Sequence, residues 1–257
     1  MHWADLVVDA PRLALLAVAL VFVLAGLVKG VVGLGLPTIS MALLAMLMSP
    51  AEAAALLVIP SLVTNLLQMR PLNLLPALLR RLGGMQIGVL VGTLAGAWLL
   101  GAPAGAWATL ALGVALVLYA LWGLSGPRVS VGPATEKWLG PLVGVLTGVV
   151  TAATGVFVIP AVPYLQALNL KRDALVQAMG ISFSVSTLAL AASLAMNGRY
   201  GGSEAGASLL MLLPAVLGLF AGQRLRLALS TGLFRRCFFG ALLVLGAYMA
   251  IRELMAL

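Results

Sequence analysis

The stretch GLVKGVVGLGLPTIS, residues 26–40, interrupts a long apolar run with glycine and proline. Glycine costs about 1 kcal/mol in a helix interior and proline about 3, so the stretch predicts that one helix stops here and another begins at Pro37. In hydrocarbon, an unpaired backbone N–H or C=O is so costly that a break is tolerated only inside protein or beside a polar cavity. Because Lys29 lies in this stretch, we expect half of a binding site here.

The composition of the chain is that of an integral membrane protein. Of its 257 residues, 63% are hydrophobic and 9% are charged, whereas soluble domains average about 25% charged residues. Apolar blocks of helical length recur, and about 20 such residues suffice for one crossing. The blocks are continuous and lack the alternation of an outer-membrane barrel. We therefore predict an all-α fold, a polytopic bundle of membrane helices with broken helices at its centre.

Glycine, proline and charge mark the helix boundaries. The predicted helices of the first half cover residues 13–28, 37–48 and 53–69, followed by a basic connector at 70–81 and by two helices within 82–124 that Gly101, Pro103 and Gly105 separate. Stripes of glycine at four-residue spacing predict close helix packing, as is usual in membranes. They are Gly88, Gly92 and Gly96, and Gly218 and Gly222.

The break has a counterpart in the second half, GVLTGVVTAATGVFVIP, residues 144–160. Its Gly144, Gly148 and Gly155 correspond to Gly26, Gly30 and Gly35. We predict a first membrane repeat at 1–124, a cytoplasmic linker at 125–137 and a second membrane repeat at 138–257. Internal repeats with broken helices are typical of transporters.

Loop charge predicts how the two repeats are oriented. Counting the crossings places eleven of the fifteen lysines and arginines on one side, which the positive-inside rule makes the cytoplasm. The eleven are Arg70, Arg80, Arg81, Arg128, Lys137, Lys171, Arg172, Arg224, Arg226, Arg235 and Arg236; Arg12, Arg199 and Arg252 fall outside. The repeats then have inverted topology, and both termini are periplasmic. Because the cations lie in loops, topology explains the net charge of +8 without a nucleic-acid partner.

The two breaks together predict an anion site. We expect the short helices to present their N-termini, at residues 35–40 and 155–160, to the middle of the bundle, and a helix N-terminus carries roughly half a positive charge. The predicted substrate-binding residues are Lys29, Gly33, Gly35, Thr38, Asn65, Thr151, Thr154, Gly155 and Ser184, with Gln68, Thr147, Ser182, Ser186 and Thr187 as further polar neighbours. The single Cys237 and His2 exclude a zinc or haem site built from this chain alone, so no metal or cofactor is expected.

Structural alternatives exist for these residues. Lys29 in a helix end can extend to a lipid headgroup, and serine or threonine in a membrane helix can bond to its own backbone. Glu52 and Asp173 stand at helix starts, where a carboxylate interacts favourably with the helix dipole. We therefore expect these residues to stabilise their helices and not to carry protons.

The chain resembles the sulfite exporter TauE/SafE family. The resemblance covers nearly the whole chain and rests on GLVKGVVGLGLPTIS, on SPAEAAALLVIPS at 49–61 and on GVVTAATGVFVIPAVPYLQALNLKRDALVQAMGISFS at 148–184. Thr151, Ala152 and Ala153 stand where a richer glycine run is expected. The resemblance implies a multi-pass carrier of the bacterial inner membrane for sulfite, sulfoacetate or another sulfur-containing or organic anion, with membrane lipids around it; a homo-oligomer stays open.

The sequence favours export over its alternatives. No acidic residue lies deep in a predicted helix, while a potential of about 100 mV, inside negative, drives each negative charge outward with about 2.3 kcal/mol. A proton-coupled permease and a passive channel remain alternatives, as does a membrane scaffold without transport. An intramembrane enzyme is disfavoured because the chain has no HExxH, no GxSxG and no paired intramembrane aspartates.

Overall fold

The structure, a computed structural model, describes residues 11–126 and 129–256, and its regular elements there are all helices. They are α1 (Pro11–Val32), α2 (Leu36–Leu44), α3 (Pro50–Gln68), a 3₁₀ turn (Leu72–Leu74), α4 (Leu75–Leu100), α5 (Gly105–Ser125), α6 (Pro133–Thr154), α7 (Ala161–Ala167), α8 (Arg172–Met196), α9 (Gly202–Leu210), α10 (Leu212–Leu225) and α11 (Thr231–Met255). The all-α prediction is confirmed. Arg128 and His2 lie outside the described residues.

Eight helical segments in these ranges are long and apolar enough to cross a membrane. Two of them combine neighbouring elements: α9 continues into α10 as one candidate crossing, and the 3₁₀ turn continues into α4. The short α2 and α7 are the two helices outside this set. The protein is therefore an integral membrane protein with several crossings.

The first break is narrower than the sequence predicts. Helix α1 continues through Gly30 to Val32, so only residues 33–35 are non-helical and Lys29 lies in the last helical turn. Gly33 and Gly35 have φ angles of +78° and +116°, in the left-handed region that glycine adopts without strain. Gly30 remains helical because its missing side chain admits the backbone of α10 at Leu219.

Three other boundaries differ from prediction. Residues 75–81, expected in the basic connector, form the first two turns of α4, and α6 begins inside the expected linker. Both starts have proline in the first turn, where its missing N–H is harmless. After Gly155, residues 156–160 are not helical, and the second short helix starts only at Ala161. The predicted helix N-terminus at 155–160 is therefore wrong.

Side chains satisfy backbone groups of helix α3 at its start and at the proline in its middle. Ser49 and Glu52 form a reciprocal capping box, so Glu52 serves the helix N-terminus, as the sequence indicates. Pro60 has no N–H for the carbonyl of Leu56, and Ser208 of α9 donates its hydroxyl to that oxygen at 2.8 Å. The same hydroxyl accepts a bond from the Ile59 N–H at 3.0 Å, so the backbone at this proline is satisfied without water.

The helix pairs α1–α10 and α4–α6 are packed through glycine, and each joins the first half of the chain to the second. In the pair α1–α10, Gly26 and Gly218 each lie against the backbone of the other helix. In the pair α4–α6, Gly88 and Gly144 do the same. The absence of side chains allows backbone contact, which is a main source of helix affinity in lipid. The predicted packing role of the stripes is confirmed.

Helices α3 and α8 form the centre of the bundle. Among the most apolar 18 residues, 67% are buried in α8 and 61% in α3, compared with 28% in α11. The two central helices pack on each other, and α5 packs on α11 at the periphery. Buried polar side chains of α3 and α8 therefore lie inside protein, where they can serve a site.

Candidate functional site

Lys29 is a buried cation at the end of α1. Its side chain is 3% exposed, so it does not extend to a lipid headgroup. Its position in the last turn of α1 places a positive charge at the negative end of the helix dipole, which is one source of stabilisation. The dipole alone does not compensate a buried ammonium, which also needs hydrogen-bond acceptors and a counter-charge.

The acceptors come from α3. The Lys29 ammonium donates to Thr64 Oγ1 at 3.0 Å and to Asn65 Oδ1. These bonds use two of the three N–H donors of an ammonium group. Neither acceptor carries a charge, and Lys29 forms no ion pair with any carboxylate in the described part of the chain. One donor and the counter-charge are therefore left for a ligand.

A second layer of polar groups holds Asn65 in place. Its amide nitrogen lies 3.4 Å from Ser61 Oγ of its own helix and 3.4 Å from Thr187 Oγ1 of α8. Thr187 also donates to the Phe183 carbonyl at 2.6 Å. Lys29 is thus linked through Asn65 to both central helices, and its ammonium is positioned by three elements of the bundle.

A cavity of about 1280 Å³ begins at Lys29. The cavity is lined by residues 30–34, at the end of α1 and in the first break, and by Thr64, Leu67 and Gln68 of α3. Residues of α5, α7, α8, α10 and α11 form its other walls. It extends to Arg70 and Gly126, which lie in the loops after α3 and α5. The cavity therefore runs from the buried ammonium to the end of the bundle that carries these loops.

The charges around this cavity have one sign. Six cations line it, and within residues 11–126 and 129–256 no aspartate or glutamate does. The six are Lys29, Arg70, Arg172, Arg226, Arg235 and Arg236. A cleft lined by one sign of charge between low-dielectric walls concentrates ions of the opposite sign. This distribution of charge favours an anion over a cation in the cavity.

One of these cations has a fixed orientation. Arg235 donates from Nη2 to the carbonyl oxygen of Gly123 at 3.2 Å, and its guanidinium carbon lies 6.0 Å from the centre of the Phe239 ring. Two contacts on different helices hold the head group beside the cavity. A guanidinium has five N–H donors, so most of them remain for a ligand.

The first-half residues predicted for the site lie around this end of the cavity, with differences between them. Gly33 lines the cavity next to Lys29. Asn65 lies behind Lys29, as its hydrogen-bond acceptor. Gly35 faces Val28 and Phe238, and the Thr38 hydroxyl is fully buried without a hydrogen-bond partner. The structure thus brings Lys29, Gly33 and Asn65 together, while Gly35 and Thr38 lie beyond the cavity wall.

The predicted residues of the second half do not line the cavity. The hydroxyls of Thr151, Thr154 and Ser184 donate to carbonyls of their own helices at 2.7, 2.7 and 2.8 Å. Gly155 has a φ angle of +73° and packs against Met41 of α2. This region is a buried support for α2 in the conformation described here.

Sequence reasoning missed Thr64, Tyr119 and the arginines as residues of the cavity. Thr64 could have been found, since Ser61, Thr64 and Gln68 recur on one face of α3 at helical spacing. The arginines were assigned to topology alone. Tyr119 gave no signal, because a single tyrosine in an apolar helix is usual in membrane proteins. In the described ranges, no group of three or more His, Cys, Asp or Glu is placed to hold a metal ion.

Comparison with known proteins identifies one family. Neither the curated proteins nor the solved structures include a match to this chain. A family model does match, over residues 18–249, and its description is "Sulfite exporter TauE/SafE".

Proposed function

This chain belongs to the sulfite exporter TauE/SafE family, and we propose that it exports a small sulfur-containing or organic anion from the bacterial cytoplasm. The substrate would be sulfite, sulfoacetate or a related sulfonate. The observation that carries the proposal is the cavity, in which six cations and no carboxylate of the described chain surround a path that ends at a buried ammonium. An anion transporter needs this distribution of charge, whereas a cation carrier would need the opposite one.

Lys29 is the central binding residue in this proposal. It has a free N–H donor and lacks a counter-charge, so an arriving anion supplies what the folded protein leaves unsatisfied. Asn65 and Thr64 position the ammonium, and Gly33 lets the backbone lie against the substrate without a side chain between them. Gly35 is the N-cap residue of α2 and Thr38 lies in the first turn of that helix, whose start has no side-chain cap; both stay proposed as substrate-binding residues.

Thr151, Thr154, Gly155 and Ser184 complete the site only in another conformation. The hydroxyls must leave their own helices, and Gly155 must separate from Met41. Alternating access moves one repeat against the other around a central site. These second-half residues are therefore proposed for the outward-facing state.

The helix pairs support two inverted repeats, covering 1–124 and 138–257 and joined by a linker at 125–137. Helix α1 of the first half packs on α10 of the second, and α6, which starts the second half, packs on α4 of the first. The pairs α3–α8 and α5–α11 also join the two halves. Such reciprocal pairing is what a two-fold relation between the halves requires.

The cavity also supports the proposed orientation in the inner membrane. Arg70, Arg172, Arg226 and Arg235 come from separate loops or helix ends that loop charge places in the cytoplasm, and they line one cavity. At the opposite end, Gly101 lies near Asn197, in loops expected outside. If each of the pairs α1–α2 and α6–α7 returns the chain to the side on which the pair starts, each half makes an odd number of crossings and both termini would be periplasmic.

Single cysteines test this orientation. In a Cys237→Ser background, cysteine at position 132 should react with a membrane-impermeant maleimide only from the cytoplasmic side, and cysteine at position 201 only from the periplasmic side. Both positions are exposed in the structure. Reaction of both from the same side would contradict the inverted repeats.

Export itself is tested in proteoliposomes loaded with sulfite or sulfoacetate. A potassium diffusion potential that is negative inside should accelerate efflux, because each negative charge gains about 2.3 kcal/mol per 100 mV. Reversing the potential should slow efflux, without any pH gradient. Lys29→Met is the control and should reduce efflux to the level of empty liposomes.

The opposite results separate the alternatives. Efflux that ignores voltage and follows a pH gradient would replace the uncoupled exporter by a proton-coupled permease, and Glu52 and Asp173 would be the first carboxylates to mutate. If correctly folded protein transports none of these anions, the remaining alternative is a membrane scaffold without transport.

A further inference from the structure

Tyr119 has a buried hydroxyl that the protein does not satisfy. The residue lies on α5, lines the cavity and is 1% exposed, and its hydroxyl has no hydrogen-bond partner. An unpaired buried polar group destabilises the folded protein, because it loses its hydrogen bonds to water and gains none in return. Such a group in a native protein requires an explanation, and phenylalanine in its place would avoid this cost.

Tyr119 differs from most of the other unpaired groups because it lines the cavity. Several buried polar side chains in the described chain lack a partner for at least one atom, but only Tyr119 and Gln68 among them also line the cavity. The unpaired atom of Gln68 is its Oε1, an acceptor, which repels an anion. The phenolic O–H is a donor. Tyr119 is therefore the residue that combines a place in the cavity wall with an unpaired buried donor.

Aromatic packing holds Tyr119 in position. Its ring lies edge-on to Phe239 with centroids 5.1 Å apart, and Phe239 lies 4.9 Å from Phe238. Phe238 in turn lies against Gly35 of the first break. The position of the hydroxyl is thus set by a row of rings and needs no polar contact, which leaves the O–H available for a substrate.

We propose that Tyr119 is a substrate-binding residue that donates its O–H to the anion whose charge Lys29 balances. This inference rests on the proposed function and narrows its substrate class. Lys29 lies on α1 and Tyr119 on α5, and both line the same cavity, so an anion bound by both would use one oxygen for each. The site then takes an oxyanion with at least two acceptor oxygens, such as sulfite, a sulfonate or a carboxylate, in preference to a halide.

The experiment uses Tyr119→Phe in the full-length protein, because this change removes only the oxygen. Binding of sulfite, sulfoacetate and chloride to purified protein is measured by titration calorimetry, and the unfolding midpoint by intrinsic fluorescence. We expect about tenfold weaker binding of the two oxyanions, as for one hydrogen bond to a charged group. The unfolding midpoint without ligand should stay equal or rise, because the unpaired hydroxyl is gone. Wild-type protein should bind chloride more weakly than the oxyanions.

The matched control is Tyr248→Phe on α11, whose side chain is 51% exposed and does not line the cavity; it should bind like wild type. Wild-type affinity in Tyr119→Phe, with or without a lower midpoint, would overturn the inference. If Lys29→Met loses binding while Tyr119→Phe keeps it, only the role of Tyr119 fails. If the wild-type protein binds none of the anions, the proposed function fails as well.

Discussion

The two breaks have a similar glycine spacing but different surroundings. In the first, α1 ends at Val32, three residues follow, and α2 has nine residues. In the second, α6 ends at Thr154, six residues follow, and α7 has seven. Both connections start with a glycine in the left-handed region, Gly33 and Gly155. The backbone solution is shared, but its surroundings are not.

The difference lies in charge and solvent. The first break carries a buried cation and contributes residues 29–34 to the cavity. The second contributes nothing to it, and Val156, Phe157 and Val158 are fully buried. Phe157 packs on Phe183 of α8, with ring centroids 5.5 Å apart. One break is a polar wall and the other is a part of the core.

Lys29 and the corresponding residue of the second break show this difference. Since Gly30 corresponds to Gly148, Lys29 corresponds to Thr147. The Thr147 hydroxyl is fully buried and donates to the Val143 carbonyl of its own helix at 2.7 Å, which is the local bond expected of threonine in a membrane helix. In the described conformation the first break contributes a buried cation to the cavity, whereas the corresponding position of the second break is a threonine bonded within its own helix.

The largest expected effect tests this asymmetry directly. Lys29→Met should weaken binding of sulfite or sulfoacetate by about a hundredfold or more, because removing one partner of a buried charge interaction costs several kcal/mol. Thr147→Val, at the corresponding position, should change the affinity less than about twofold. Titration calorimetry on both purified variants gives the comparison. A similar loss in both would mean that Thr147 contributes as much to substrate binding as Lys29 does, and the proposed asymmetry between these two positions would be wrong.

Asn65→Asp separates charge from packing in the same assay. The side chain keeps its shape and can still accept a bond from Lys29, but the added carboxylate supplies the counter-charge that we assign to the substrate. Anion binding should fall although the protein stays folded. If Asn65→Asp binds anions like wild type, the charge of Lys29 does not hold the substrate.

The fold follows from the sequence to the extent that local patterns determine it. Apolar length predicts the crossings, and glycine stripes predict close helix packing, because a missing side chain has the same effect on packing wherever it lies. The predicted helix boundaries were less accurate. Gly30 breaks a helix by propensity, yet it stays helical because its contact with Leu219 outweighs the roughly 1 kcal/mol that glycine costs.

The site was less accessible to sequence reasoning. Lys29 stands out, since a charge amid apolar residues is rare, and its pairing with Asn65 was anticipated only as membership of one site. The role of Thr64 depends on the rotation of α3 about its axis, and that of Tyr119 on the approach of α5 to a cavity between other helices. Both are tertiary facts, and no short-range pattern encodes them.

The smallest expected effect concerns the feature that the two halves share. A Cβ built on Gly26 would lie 3.0 Å from the backbone nitrogen of Leu219, and a Cβ on Gly144 would lie 3.0 Å from that of Val89. Each approach is to backbone, which cannot rotate away, so the helices must separate. Gly26→Ala and Gly144→Ala should therefore each destabilise the protein by about 1–3 kcal/mol, as overpacking does.

The decisive result is whether Gly26→Ala and Gly144→Ala lower the free energy of unfolding, measured in detergent, by equal amounts. Gly240→Ala in α11 is the control: nothing lies within 4 Å of its Cβ position, and helix propensity alone should leave that variant equal to wild type or more stable. Neither Gly26 nor Gly144 lines the cavity, so the folded fraction of both variants should bind sulfite with wild-type affinity. A large effect in one half alone would show that the glycine contacts are as asymmetric as the chemistry, and the shared scaffold would then lose its main support.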